Sequence, residues 1–285
     1  MAANPQKIAL YCQNTFDVAN PSPSQITQMI DAANDLSQSG FGTILLGQWH
    51  VHSDGSIYYN DSPLDSVIQA LKVIPTALKQ GGFVKKVLIS FGPFASDFQA
   101  IKDHYLTFQR TMAGVLAVTD IDGFDWDLEQ NYSNFTDLIV DLTQWTNGLG
   151  KMVTAAPYEE VSFWKSVYQR TNTGGDKGFA WWNLQTYSGI TDYGTWVDEL
   201  RGLVPDPESF LVPGFKVLNG ATPSVVSSTL AQWQQSYPQL DGGFIWQYED
   251  LVKSGHTARQ YAEAIAQGLG GVSQSEEVAQ KNGKY

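Results

Sequence analysis

The amino-acid sequence predicts an α/β protein that folds as a single (β/α)8 TIM barrel, and three observations support this. Short apolar runs alternate along the chain with segments in which apolar residues have helical spacing. Eight such runs occur, and because each return to a parallel strand needs a crossover, they predict a parallel sheet. The length of 285 residues suits one closed barrel with one core.

The eight candidate strands are short and mostly apolar, as strands covered on both faces should be. They lie at residues 8–12, 43–46, 87–91, 123–129, 152–156, 180–187, 210–215 and 243–246. Helical spacing predicts helices at 26–36, 67–78, 106–118, 135–145 and 257–269. No Gly-rich phosphate fingerprint follows the first strand, which argues against a dinucleotide-binding sheet. We expect the barrel to occupy residues 1–270 and a polar C-terminal tail to occupy residues 271–285.

The composition restricts the possible partners of the chain. A formal net charge of -12 argues against nucleic acid and against an anionic membrane, because both attract clustered Lys and Arg. The single cysteine, Cys12, excludes a disulfide within the chain, and its apolar neighbours predict a buried, inert thiol. We therefore expect a neutral substrate and no cofactor, and we expect the chain to act as a monomer.

The sequence leaves the compartment open between two interpretations. No apolar stretch approaches the roughly 20 residues that cross a bilayer. Residues 1–7 lack the apolar core of a signal peptide. The chain is then either a secreted protein given in its mature form, which we expect, or a cytoplasmic protein.

The most informative stretch is acidic and reads Asp-Gly-Phe-Asp-Trp-Asp-Leu-Glu at residues 122–129. Successive side chains of a strand point to opposite faces, so Asp125, Asp127 and Glu129 share one face and should point into the barrel. Three carboxylates spaced about 6.6 Å apart cannot all be ionised cheaply there. At least one proton should be retained near neutral pH, so that one carboxylic acid can donate while its neighbour carries charge.

Glu129 is the last residue of this row and lies at the C-terminal end of its strand, where the active sites of such barrels are found. That position fits a general acid. The alternatives are a surface strand with its acidic face in water and a divalent metal site, but a central barrel strand has no wet face. His50 and His52 follow the second strand, and since such a pair is more often an ordinary loop feature, we predict no metal site.

Residues 122–129 resemble the DxxDxDxE signature of family 18 glycoside hydrolases, which are the chitinases and certain endo-β-N-acetylglucosaminidases. The three Asp and the Glu of that signature are all present. Further segments are similar to the compact plant and fungal type of chitinase: residues 8–13 to its first strand, 86–92 to its third, 154–157 to its fifth, Gln185 to Tyr187 to its sixth, and Trp246 to the Trp under the cleaved sugar.

The resemblance implies hydrolysis of chitin or N-acetylglucosamine oligosaccharides with retention of configuration, in which the N-acetyl oxygen of the substrate is the nucleophile. Glu129 would protonate the leaving oxygen and then activate water. Asp127 would orient the acetamido N–H, Asp125 would share a proton with Asp127, and Tyr187 would bind the acetamido oxygen. Tyr187 could also be an ordinary core tyrosine.

Four further residues are expected to contact the substrate: Trp246 as an apolar floor, Gln185 as a polar contact, and Tyr11 and Asp122 as additional contacts. Trp246 and Tyr11 could instead serve only core packing. The chain departs from the family pattern at Pro93, where the third-strand motif normally has glycine, and at Ser188, where many relatives have Asp or Asn.

The segment between the seventh and eighth candidate strands is too short for the α+β insertion domain of many processive chitinases. This predicts an open cleft and cleavage within chains. Two other functions remain possible: an endo-β-N-acetylglucosaminidase acting on the chitobiose core of N-linked glycans, and a non-catalytic chitin-binding lectin on the same barrel.

Overall fold

The computed structural model describes residues 3–172, 178–189 and 192–271. Its strands are β1 (Ile8–Cys12), β2 (Thr43–Val51), β3 (Ile57–Tyr59), β4 (Ser62–Pro63), β5 (Lys86–Phe91), β6 (Gly123–Trp126), β7 (Met152–Ala155), β8 (Trp182–Leu184), β9 (Leu211–Lys216) and β10 (Gly243–Trp246). Apart from Gly271, the predicted polar tail lies outside the described residues.

Eight of these strands form a closed parallel ring, which confirms the predicted (β/α)8 barrel. The order around the ring is β1, β2, β5, β6, β7, β8, β9 and β10. Closure occurs at β1, which pairs in parallel with β2 on one side and with β10 on the other. The C-terminal ends of all eight strands therefore meet at one mouth of the barrel.

The helices surround this ring. They are α1 (Pro23–Ser37), α2 (Leu64–Leu71), α3 (Ile74–Gln80), α4 (Ala95–Asp103), α5 (Tyr105–Val118), α6 (Thr136–Gly148), α7 (Val161–Thr171), α8 (Tyr193–Leu200), α9 (Pro207–Phe210), α10 (Pro223–Ser236), α11 (Tyr248–Lys253) and α12 (Ala258–Gly268). Ser22 and Thr257 begin α1 and α12 with capping boxes, in which a side-chain oxygen accepts an orphan backbone N–H. Among the described helices, none has the length and apolar character needed to cross a membrane.

The observed elements differ from the predicted ones at three places that bear on the site. Strand β2 continues to Val51 because its second half pairs antiparallel with β3, an addition that the barrel pattern does not predict. The helix expected at 67–78 is two helices, α2 and α3, and Pro75 lies in the first turn of α3, where a missing N–H costs nothing. Strand β6 ends at Trp126, so Asp127 and Glu129 lie just beyond it.

A buried ion pair joins three segments at the N-terminal end of the barrel. The Lys7 ammonium lies 3.1 Å from Asp241 Oδ1 and donates to the Ser209 hydroxyl at 2.6 Å. Lys7 directly precedes β1, while Ser209 and Asp241 precede β9 and β10. The pair therefore ties together the strands that close the ring.

We predict that Lys7→Met lowers the free energy of unfolding by about 3 kcal/mol, because it leaves the Asp241 carboxylate buried without its cation. Lys165→Met is the matched control, since Lys165 pairs with Glu199 at the surface, where the two side chains are 33% and 47% exposed. An exposed pair contributes about 1 kcal/mol or less. Chemical denaturation of both variants measures the difference, and equal losses would contradict the role given to Lys7.

Candidate active site

The acidic row lies at the C-terminal mouth of the barrel, with alternate side chains on opposite faces. Phe124, Trp126 and Leu128 are fully buried on the helix side, where the Phe124 ring stacks on Trp145 of α6 at 5.8 Å. The carboxylates of the row point the other way, into the lumen, where side chains from other strands bind them. Exposure increases along the row, from Asp125 at 0% and Asp127 at 3% to the half-buried Glu129.

Asp125 is held by four neutral donors from four different strands. Its Oδ2 accepts from the Tyr11 hydroxyl at 3.0 Å and from the Ser90 hydroxyl at 2.7 Å. Its Oδ1 accepts from the Thr154 hydroxyl at 2.6 Å and from Asn183 Nδ2 at 3.2 Å. Burial raises the pKa of Asp125, and these hydrogen bonds oppose the rise because they favour the ionised form.

The hydrogen bonds of Asp125 bear on the proton sharing that the family resemblance implied. Its four acceptor positions are filled by hydroxyl and amide donors, so the carboxyl has little capacity left to share a proton with Asp127. The sequence could not show this, because the donors come from strands far apart in the chain.

Asp127 is bound by two side-chain amides, one on each oxygen. Gln48 Nε2 donates to Oδ2 at 3.0 Å, and Gln185 Nε2 donates to Oδ1 at 3.0 Å. Burial raises the pKa of Asp127 well above its ordinary value, and the neighbouring Glu129 and Asp125 charges raise it further. These effects favour the protonated form of Asp127 more than that of an exposed aspartate.

Glu129 shares its amide partner with Asp127. Gln185 Nε2 donates to Glu129 Oε1 at 2.8 Å and to the Ala156 carbonyl at 3.2 Å. Burial raises the pKa of Glu129, while the Gln185 hydrogen bond, the contact with Asp127 and the Lys216 charge oppose the rise. Two carboxyls this close titrate as a pair, so the raised pKa describes the two together.

Aromatic side chains form the remaining walls of the mouth. Tyr187 packs edge-on against Phe244, and burial beside Asp127 raises the pKa of its phenol well above the ordinary value, so it remains a hydrogen-bond donor. The Trp246 ring lies 5.3 Å from that of Tyr11. Tyr11 is itself buried with its hydroxyl directed at Asp125, which makes it a support for the carboxylate row.

These residues enclose a cavity of about 370 Å³ at the mouth of the barrel. It is lined by Tyr11, Gln13, Gln48, His50, Pro93, Phe94, Asp127, Glu129, Ala156, Tyr158, Gln185, Tyr187, Ser188, Lys216 and Trp246. Six of the eight residues expected from the sequence to act in catalysis or binding are in this set, and Asp125 lies directly beneath it.

Asp122 is the exception, and the expectation that it contacts the substrate is corrected here. It precedes the first residue of β6 and so lies at the N-terminal end of the barrel, away from the cavity. Its Oδ2 accepts the Val87 N–H at 2.8 Å and lies 2.8 Å from the Lys79 ammonium. Asp122 therefore fixes the start of two neighbouring strands, a structural role.

The departures from the family pattern have visible consequences. The Pro93 carbonyl accepts the Glu129 N–H at 3.3 Å, so the loop that departs from the family pattern contacts the backbone of Glu129. Gly92 has φ of +138°, and a Cβ there would lie 1.9 Å from the Asp127 carbonyl oxygen, so only glycine fits. Ser188 lines the cavity.

Several residues of the site carry no recognisable signal in the sequence. Ser90 and Thr154 stand beside Asp125 in the strand register, so a correct alignment of the strands would have found them. Gln48 and Lys216 reach the cavity from other strands and could not be found this way. His50 lines the cavity with Nδ1 3.1 Å from Asp97 Oδ2. Within the described ranges, no group of three or more His, Cys, Asp or Glu residues could hold a metal ion.

Solved structures share this fold over nearly the whole chain. The catalytic domain of a family GH18 chitinase from the fern Peteris ryukyuensis matches with a TM-score of 0.60 and 17% identity, covering 93% of this chain and 99% of that one. A chitinase from Chromobacterium violaceum matches at 0.57 with 9% identity, covering 94% and 99%. The PgaB (BpsB) glycoside hydrolase domain from Bordetella bronchiseptica matches at 0.57 with 11% identity, covering 91% and 99%.

The resemblance read from the sequence is thus matched by structural neighbours that include chitinase catalytic domains, over nearly the whole chain. At these identities the likeness establishes the fold. No protein-family model matches the sequence. No curated protein matches it either.

We predict that Asp127→Asn changes the pH dependence of stability. The folded-state pKa of Asp127 lies above its unfolded value, so between these two values the folded chain binds more protons than the unfolded chain. The free energy of unfolding of the wild type therefore falls as pH rises through that window. The Asn variant lacks this loss. Its free energy of unfolding should therefore rise relative to that of the wild type as pH rises, by about 1–3 kcal/mol over the whole window.

Urea unfolding at a series of pH values measures this gain. Asp31→Asn, at an exposed position on α1, is the control and should follow the wild type at every pH. A gap between wild type and Asp127→Asn that stays constant with pH would show that folding does not raise the pKa of Asp127.

Proposed function

We propose that this chain is a family 18 glycoside hydrolase that cleaves the β-1,4 linkages of chitin or chitooligosaccharides by a retaining, substrate-assisted mechanism. One observation carries the proposal. Asp127 and Glu129 are the only carboxylates among the described residues that line the cavity, and they lie side by side and share Gln185. Both carboxyls come from one short stretch of chain and contact the same amide, an arrangement that favours a nucleophile supplied by the substrate.

The first step breaks the glycosidic bond. Glu129 gives its proton to the leaving oxygen, and the acetamido oxygen of the substrate attacks the anomeric carbon, which forms a cyclic oxazolinium ion. Asp127 accepts the acetamido N–H and offsets the positive charge that develops. Tyr187 donates its phenol proton in a hydrogen bond that aligns the acetamido group, a role that its raised pKa supports.

The second step restores the sugar. Glu129, now ionised, takes a proton from water, and the resulting nucleophile opens the oxazolinium ion from the face that the leaving group vacated. Two inversions at the anomeric carbon give net retention. The raised pKa of Glu129 suits both tasks, because an acid and base works best with a pKa near the operating pH.

The open shape of the mouth favours cleavage within chains. Between β9 and β10 the chain contains only a short helical turn, Val217–Asn219, and α10, so no insertion domain stands over the cavity on that side. Trp246 at the cavity and the exposed Phe94 at its rim offer apolar surfaces for sugar rings. A secreted location fits an extracellular polymer of this kind.

Two alternatives use the same geometry. The chitobiose core of N-linked glycans carries the same acetamido groups, so an endo-β-N-acetylglucosaminidase would need the same carboxylates. A lectin would need the cavity but not the proton. The intact Asp127 and Glu129 pair favours an enzyme, and the chitinase neighbours favour chitin.

We predict that Glu129→Gln lowers turnover of a chitooligosaccharide by about 10² to 10⁴, because it removes the acid and base but keeps a side chain of equal size. Binding of the oligosaccharide, measured by calorimetry, should persist. Glu199→Gln, at an exposed position on α8, is the matched control and should keep wild-type turnover. Turnover of Glu129→Gln close to that of the wild type would exclude Glu129 as the acid.

We predict that the wild type cleaves chitohexaose and leaves cellohexaose intact, because only the former carries the 2-acetamido nucleophile. NMR of the fresh products should show the β-anomer first. Cleavage of a high-mannose glycoprotein but not of chitohexaose would replace chitin with the N-glycan substrate. Binding of chitohexaose without new reducing ends would establish the lectin.

A further inference from the structure

Gln48 contacts Asp127 from the side opposite Gln185. It lies in β2, where the parallel register with β5 shifts between Leu46 and Trp49. The shift lets the Gln48 side chain reach the lumen, where it lines the cavity and donates Nε2 to Asp127 Oδ2 at 3.0 Å. Only 4% of the residue is exposed.

The backbone of Gln48 is fixed by the antiparallel hairpin that extends β2. Its N–H donates to Asn60 Oδ1 at 3.3 Å, and its carbonyl accepts the Asn60 N–H at 2.8 Å. Asn60 is anchored in turn, since its Nδ2 donates to the Gln13 carbonyl at 2.6 Å and to Asp17 at 3.0 Å. Asn60, which directly follows β3, thus holds Gln48 through both its backbone N–H and its backbone carbonyl.

The other end of the Gln48 amide has no hydrogen-bond partner. Eight buried side-chain polar atoms of the described residues have no hydrogen-bond partner, and Gln48 Oε1 is the one that belongs to a residue lining the cavity. A buried carbonyl without a donor is unfavourable, and an apolar side chain of similar length would avoid that cost. What Gln48 supplies is therefore its N–H, directed at Asp127.

We propose that Gln48 is a positioning residue for the reaction: its N–H holds the Asp127 carboxylate as an acceptor facing the cavity and favours its ionised form, which moves the shared proton towards Glu129. This rests on the proposed function. Gln48 and Gln185 each donate to one oxygen of Asp127, and both hydrogen bonds favour the ionised form that would accept the acetamido N–H. The Gln48 hydrogen bond accordingly lowers the pKa of Asp127 against the rise that burial causes.

Other charged and titratable groups surround Asp127, and the test must hold them constant. They are Asp125 and Glu129 from its own chain segment, Tyr11 from β1, Tyr132 after β6, Tyr187 after β8, and His50 and Lys216 around the cavity. Substitutions at Gln48 leave all of these in place.

The kinetic test compares Gln48→Met with Gln48→Glu on chitohexaose. Gln48→Met removes the donor at every pH, so kcat should fall at least tenfold while KM changes by less than about threefold, since the loss affects proton placement more than sugar contacts. Gln48→Glu can still donate when protonated but repels Asp127 when ionised. Its kcat relative to wild type should therefore fall at least tenfold between about pH 4 and about pH 7.

A second measurement does not depend on activity. At acid pH, Gln48→Met should unfold at the same urea concentration as the wild type or a higher one, because it buries no unpaired carbonyl. As pH rises, the free energy of unfolding of Gln48→Met should fall relative to that of the wild type, because Asp127 ionises without its donor. Gln99→Met is the matched control: exposed Gln99 also donates its amide to an aspartate, Asp103, at 2.8 Å, but on the outside of α4, and its variant should show neither effect.

The outcomes separate the two proposals. Wild-type protein without activity on any N-acetylglucosamine substrate would overturn the proposed function, and the unfolding series would still decide whether Gln48 stabilises ionised Asp127. Activity in the wild type, together with pH profiles of both Gln48 variants that are parallel to it, would overturn the role of Gln48 alone. Unfolding curves of Gln48→Met that stay parallel to wild type across pH would also overturn it.

Discussion

The structure depends on how a fully buried carboxylate is accommodated inside a closed barrel. Asp125 has no cation within hydrogen-bonding distance among its described partners, and its charge is compensated by neutral donors on β1, β5, β7 and β8. Each donor must arrive at the correct height in the lumen, so the register of the strands and the chemistry of the site are fixed together. Loss of one donor would leave a buried charge partly uncompensated, which is costly.

From this base the row becomes gradually more open towards the mouth. Asp127 has amide donors only, and half-buried Glu129 has one amide and the nearby Lys216 charge. Along this gradient of exposure, three similar carboxyl groups have different hydrogen-bond partners. The deepest carboxyl is saturated with hydrogen bonds, the middle one lies between two amide donors, and the outermost one is the most exposed in the cavity.

The positions missed by sequence reasoning share one physical cause. Asp122 belongs to the same acidic stretch as Glu129, yet the strand carries the two to opposite ends of the barrel, where Asp122 pairs with Lys79. Conversely, Gln48 lies 79 residues from Asp127 in the sequence and still donates to it, because a register shift in β2 turns its side chain inward. Linear distance along the chain predicts neither relation.

The sequence by itself determined the class of fold and the row of carboxylates, because alternation of apolar runs with helical segments and the period of two within a strand are local properties of the chain. It also placed Glu129 at the mouth, since strand direction follows from chain order. The tertiary structure alone decided which groups bind each carboxylate. It decided that four donors fill the acceptor positions of Asp125, and that Gln48 and Gln185 each donate to one oxygen of Asp127. Those contacts join residues brought together only by closure of the ring, and no local pattern encodes them.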